Sequence, residues 1–176
     1  VARALFIRLM EQYSEQAYWL TLLEIQKLAY FLQEAGEPIR LKYEAGHYGP
    51  YAQNLNKVLE MLEGHYIRGY GDSQRPDVEI ELLPGATASA DAFLLKHEES
   101  QARLARVSTL IEGFETPYGM ELLSSVHWVA TRHEPPLSTA EEAVEAVHQW
   151  NERKRKMFKS EHIYTAWNWL IDHQWI

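Results

Sequence analysis

Thr21-Leu22-Leu23-Glu24-Ile25-Gln26-Lys27-Leu28-Ala29-Tyr30-Phe31-Leu32-Gln33-Glu34-Ala35-Gly36 is the stretch whose reading decides the fold. Thr21 with Glu24 three residues on is a capping box, in which each side chain satisfies a free backbone N–H of the first helical turn. Gly36 stands where a left-handed residue stops a helix. The helix so bounded, from about Leu22 to Ala35, carries Ile25, Leu28, Ala29 and Leu32 as its main apolar stripe. Leu22, Tyr30 and Phe31 widen that stripe until only Glu24, Gln26, Lys27, Gln33 and Glu34 are polar. A helix this apolar belongs at the centre of the fold.

On its N-terminal side, Leu5, Phe6, Leu9, Met10, Tyr13 and Ala17 share one face of an opening helix that packs against it. On its C-terminal side, Glu37-Pro38 forbids helix, and Leu41 to Tyr48 reads as extended chain or loop with room for a short strand. Gly49-Pro50 then supplies a turn whose proline suits the first position of another helix, with Tyr51, Leu55, Val58, Leu59 and Leu62 at helical spacing up to Gly64. Tyr66 to Leu83 reads as a small β-hairpin, because Val78-Glu79-Ile80-Glu81-Leu82 alternates strictly.

After Pro84-Gly85 the pattern is helical throughout. One helix or a kinked pair is expected over Ser89 to Glu112. Another follows from Pro117 to Ala130 behind the cap Thr116, a third behind the capping box Thr139/Glu142, and a last from Ser160. The sum is a single α+β domain over residues 1–176, mainly α with about six to seven helices and a small hairpin or short sheet.

Composition narrows the function classes. A chain of 176 residues is long enough to bury about 70% of its unfolded surface without a staple. The absence of cysteine excludes disulfides, thiolate zinc sites and cysteine nucleophiles. No apolar run approaches a spanning helix and no signal peptide is visible, so a cytoplasmic protein is expected. Its start at Val1, without methionine, suggests a processed chain or a piece of a longer one. The net charge of −8 argues against general nucleic-acid binding, which depends on Lys and Arg displacing counterions. The basic run Arg153-Lys154-Arg155-Lys156 reads as the solvated end of a helix. Six Trp and ten Tyr favour a contact surface, although most aromatics of any domain are core.

No chemistry-bearing motif stands out. None of the eight histidines forms a close ligand pair, and Gly46-x-x-Gly49 and Gly69-x-Gly71 match neither a Walker loop nor a dinucleotide fingerprint. No Gly-x-Ser-x-Gly elbow is present. Metal, cofactor and catalytic residues are therefore expected to be absent. His47, Tyr66 and Tyr70 sit beside Gly and Asp in expected loops and are candidates for partner contact, whereas Tyr48 is better read as packing on the central helix. Asp77, Glu79 and Glu81 share one strand face at intervals of ~6.6 Å. That is the solvated side of an amphipathic strand, or a ladder resembling the phosphate repeat of a single strand.

Gln26-Lys27-Leu28-Ala29-Tyr30-Phe31 followed by the turn Tyr48-Gly49-Pro50 resembles the Panacea (SocA-like) antitoxin domains. The longer pattern, adding Gly46-His47-Tyr48-Gly49-Pro50-Tyr51-Ala52 and Gly64-His65-Tyr66 through Gly71-Asp72, resembles the C-terminal toxin-binding domain of DarG-type antitoxins. The resemblance covers about one third of the chain, Thr21 to Asp72. It implies a non-enzymatic antitoxin domain, cut from a chain whose N-terminal macrodomain is absent here. Its partner would be a DarT-like DNA ADP-ribosyltransferase, bound directly by acidic mimicry of single-stranded DNA. Asp72, Asp77, Glu79 and Glu81 would face a basic groove, and His47, Tyr66 and Tyr70 would add apolar and hydrogen-bonding contacts. The rival readings are a hydrolase built on dispersed His and carboxylates, and a non-catalytic DNA-binding regulator using Arg153 to Lys156.

Overall fold

In the computed structural model, which describes residues 1–72 and 75–176 with Asp72 by its backbone alone, the helix that opens at Thr21 is the axis of the molecule. This helix, α2 (Leu22–Glu34), has the expected capping box: the Thr21 hydroxyl accepts the Glu24 N–H at 3.4 Å, and Glu24 Oε1 accepts from Thr21 N at 3.1 Å. Tyr13, from α1 (Ala2–Gln16), donates its hydroxyl to the other oxygen of Glu24. Gly36 closes the helix at φ 105°.

α2 is buried on more sides than its apolar stripe requires, since Glu24, Gln26 and Lys27 are buried too. The reason is a hairpin, β1 (Tyr43–Gly46) with β2 (Gly49–Ala52), laid along its polar side. Gln26 holds both backbone groups of Ala52 at 3.0 Å, and Lys27 Nζ donates to the Pro50 carbonyl at 2.7 Å. Pro50 therefore lies in a strand, contrary to the expected helix start. Non-local bonds from α2 outweigh the local preference of proline, and helix α3 (Leu55–Leu62) begins five residues later.

The expected second hairpin is present but short: β3 (Ile67–Arg68) pairs with β4 (Glu81–Leu82). The alternating segment before β4 is recruited elsewhere. Leu22 N donates to Val78 O at 3.0 Å and Ile80 N to Leu20 O at 2.8 Å, which lashes residues 78–80 to the entrance of α2.

The remaining helices are α4 (Ala86–Leu94), α5 (Glu98–Leu110), α6 (Pro117–Arg132), α7 (Ala140–Trp150), α8 (Glu152–Met157) and α9 (Ser160–Asp172). Nine helices thus occur among the described residues, against six to seven expected, because the Ser89 to Glu112 segment splits and the basic run forms a helix of its own. α6 packs on α2, β2, α7 and α9, while α1 packs on α4 and α5, and one apolar core runs through both groups. No helix among the described residues is long and apolar enough to cross a membrane.

Burial raises the Glu24 carboxyl to about 7, the backbone bond from Thr21 working the other way. The folded state keeps a proton that the unfolded chain releases near 4.5, so this contribution is full below that value and is lost as pH rises through 7. In urea titrations, the stability difference between wild type and Glu24→Gln should shrink as pH goes from 4.5 to 7. A pH-independent difference would contradict the burial of this group.

Candidate functional site

α8 carries the basic run that was expected to be solvated, and its central residue is the most buried of all: Lys154 is 0% exposed. Asn151 caps the helix, accepting Lys154 N–H at 2.8 Å on its side chain, and this turns Lys154 inward. Its Nζ donates to Glu121 Oε2 on α6 at 2.6 Å, and Arg153 Nη1 reaches the same oxygen at 2.7 Å. Glu121 is itself buried, and Lys27 also feels its charge. One carboxylate therefore faces three cations. Burial, with Lys154 and Arg153 nearby, lowers Lys27 to about 7, against the opposing pull of Glu121. Burial likewise lowers Lys154.

Of this cluster, Arg153 lines a cleft of about 670 Å³, together with Trp19, Thr21, Leu23, Tyr48, Arg75, Pro76, Asp77, Glu79 and Pro117. The Arg153 guanidinium lies 4.7 Å from the centre of the Tyr48 ring. Tyr48 is 37% exposed and Trp19 54%, so both present ring surface to solvent. The pairing of residues 78–80 with 20–22 sets Asp77 and Glu79 on the same cleft as Trp19. On the other side of Trp19, a depression of about 400 Å³ is lined by Glu11, Glu15, Tyr18, Glu79 and Glu81 among others, and Tyr18 is wholly exposed.

The residues expected to meet a partner divide. Asp77, Glu79 and Glu81 are exposed along one face, as the alternation requires. Asp77 is paired with Arg75 at 3.5 Å and Glu81 with Arg68 at 2.5 Å. His47 is exposed, its ring 4.7 Å from that of Tyr48, while its carbonyl accepts from Asn151 Nδ2 at 3.1 Å. Tyr66 is half-buried and lines a different hollow, beside Ile7 and Phe93. Tyr70 is a correction: it is 2% exposed, drawn into the core because Glu63 ties the backbone N–H groups of Gly69 and Tyr70, and it offers no contact area. The Asp72 side chain lies outside the described residues.

Trp19, Lys27 and Glu121 were not singled out as site residues, and Arg153 entered only through the rival DNA-binding reading. The one visible signal was Tyr18-Trp19, two adjacent aromatics placed just before a helix cap rather than in an apolar pattern. Among the described residues no group of three His, Asp or Glu is placed to hold a metal ion. His127 is buried, hydrogen-bonded to the Tyr30 hydroxyl at 2.6 Å, and lowered to about 3, chiefly by burial. A second groove, about 640 Å³, runs between Trp128 and Trp150, but Glu142 and Glu145 line it, and its Arg132 is paired with Glu34.

No family model matches the chain. The chain is 42% identical, over 170 residues and 97% of its length, to a DNA ADP-ribosyl glycohydrolase of Thermus aquaticus. It is 36% identical over 168 residues to the proteins of that name from Mycobacterium bovis and Mycobacterium tuberculosis. The chain spans 46% of the length of these relatives. Their name is that of an enzyme. It overturns the expectation of a non-enzymatic chain acting only by neutralising a toxin, and of the rival readings it favours the hydrolase.

Two variants test the buried cluster. Glu121→Gln leaves Lys154 without its counter-charge and should cost about 3–5 kcal/mol in urea unfolding. Because Lys27 titrates near 10.5 when unfolded and near 7 when folded, its contribution is full above pH 10.5 and is lost as pH falls to 7. The stability of wild type relative to Lys27→Met should therefore rise between pH 7 and pH 9; a flat difference would contradict the assignment.

Proposed function

We propose that this chain serves as part of a DNA ADP-ribosyl glycohydrolase, a hydrolase that cleaves the bond joining ADP-ribose to a DNA base. The observation that carries the reading is the 42% identity over 97% of the chain to a protein of that name. Because the chain spans 46% of that relative, the reaction is assigned to the protein that carries the chain.

The cleft supports this reading through its mixture of groups. Ring faces at Trp19 and Tyr48 suit a base, the Arg153 guanidinium suits a phosphate, and carboxylates at Asp77 and Glu79 suit sugar hydroxyls. The net charge of −8 disfavours contact with duplex DNA over the general surface.

Within such a protein we propose that the chain has a Panacea/SocA-like fold. We also propose that it meets, as a protein partner, a DarT-like ADP-ribosyltransferase, the class of enzyme that makes the bond this hydrolase breaks. Our candidates for contact with that partner are the exposed residues His47, Asp77, Glu79 and Glu81.

The test is to incubate the protein that carries this chain with an ADP-ribosylated single-stranded oligonucleotide and follow both products by mass spectrometry. Free ADP-ribose and the unmodified oligonucleotide should appear. An oligonucleotide that keeps its ADP-ribose in the presence of the folded protein would overturn the reading.

A further inference from the structure

We infer that the groove between Trp128 and Trp150 is a docking site for a basic, proline-rich segment of a protein partner, with prolines against the two indoles and an Arg or Lys against Glu142 and Glu145. The groove shares no lining residue with the Arg153 cleft, and its occupant is independent of the hydrolase activity proposed above.

Trp128 stands near the end of α6 and Trp150 closes α7, their ring centres 6.5 Å apart, and both keep part of their surface in solvent. Both rings are held from behind. Trp150 donates its indole N–H to the Gly46 carbonyl at 3.0 Å and has the buried Lys154 ammonium 4.9 Å from its centre. The Arg132 guanidinium lies 4.6 Å from the centre of Trp128. Aromatic surface fixed in this way loses little freedom when it is covered. Each ring already has a cation beside it, so the group that suits its remaining surface is apolar.

Charge at the rim selects what the apolar groups travel with. Glu142 and Glu145, one turn apart on α7, are exposed and line the same groove. Glu142 accepts from Ser138 N at 2.9 Å and Glu145 from Gln149 Nε2 at 3.1 Å. These donors are neutral, and neither carboxylate is in an ion pair among the described residues, whereas Arg132 is committed to Glu34. Two uncompensated negative charges beside an apolar floor complement a segment that carries a cation, and they repel a nucleic-acid strand.

Backbone chemistry selects the conformation of that segment. Pro135 and Pro136 form part of the wall and have no N–H to offer. The next two donors along it are spent, Leu137 N on the Ala130 carbonyl at 3.2 Å and Ser138 N on Glu142. An incoming β-strand therefore finds no ladder of donors on this wall. A polyproline II segment needs none, and aromatic-lined grooves are the surfaces that take it up. The Trp128 indole N–H makes no hydrogen bond among the described residues and can donate to one carbonyl of the segment.

The test is to titrate a peptide of three Arg-Pro-Leu-Pro repeats into the isotope-labelled chain and follow the indole N–H signals by NMR, with that of Trp128 assigned through Trp128→Phe. The Trp128 signal should shift and saturate by millimolar peptide while the Trp19 signal stays in place. Glu145→Lys, a change at an exposed side chain, should weaken binding by about tenfold and strengthen binding of the matching Glu-Pro-Leu-Pro peptide. Trp128→Ala, checked for native circular dichroism, should weaken binding by about tenfold as well. A Trp128 signal that does not move at millimolar peptide, equal affinity for the Arg and Glu peptides, or unchanged affinity in Glu145→Lys would each overturn the inference. So would an oligothymidylate that moves the Trp128 signal at lower concentration than the peptide does.

Discussion

A single buried carboxylate governs the arrangement of this molecule. Glu121 on α6 accepts from both Lys154 and Arg153 of α8, and its charge reaches Lys27 on α2, whose ammonium grips the carbonyl of Pro50. Four elements that lie far apart in the chain, α2, β2, α6 and α8, thus meet around one charge. Buried ion pairs contribute little net stability against well-packed apolar groups, but removing one partner is costly. The cluster is therefore best understood as fixing positions: it settles where the hairpin turn sits against α8, and with it the wall of the cleft. Trp150 and Asn151 complete the grip by donating to the carbonyls of Gly46 at 3.0 Å and His47 at 3.1 Å.

The same cluster divides the electrostatics of the protein. Lys154 and Arg153 share Glu121, and of these two cations only Arg153 reaches solvent. The aromatic pair Tyr18 and Trp19, whose rings are 6.2 Å apart, is exposed, and Trp19 lines the same cleft as Arg153.

Where local chemistry decides, the sequence was legible. The Thr21/Glu24 box, the Thr116 cap before Pro117 and the Thr139 cap of α7 all follow from residues within one helical turn of each other. The exposed row Asp77, Glu79 and Glu81 was legible from its period of two. Where a distant partner decides, the sequence misled. Pro50 reads as a helix start until Lys27 claims its carbonyl, and Lys154 reads as solvated until Glu121 supplies a buried counter-charge. Tyr70 reads as a loop residue until Glu63 folds its backbone inward. The cleft depends on these tertiary contacts, which is why Asp77 and Glu79 could be named in advance for a contact surface, while Tyr48 was read as packing and Arg153 as a solvated helix end.

A crystal structure of the Glu121→Gln chain tests the central claim most directly. The account predicts that Lys154 leaves its buried place and that α8 shifts against the hairpin turn of residues 46–49. An α8 that has not moved, with Lys154 still buried, would contradict it.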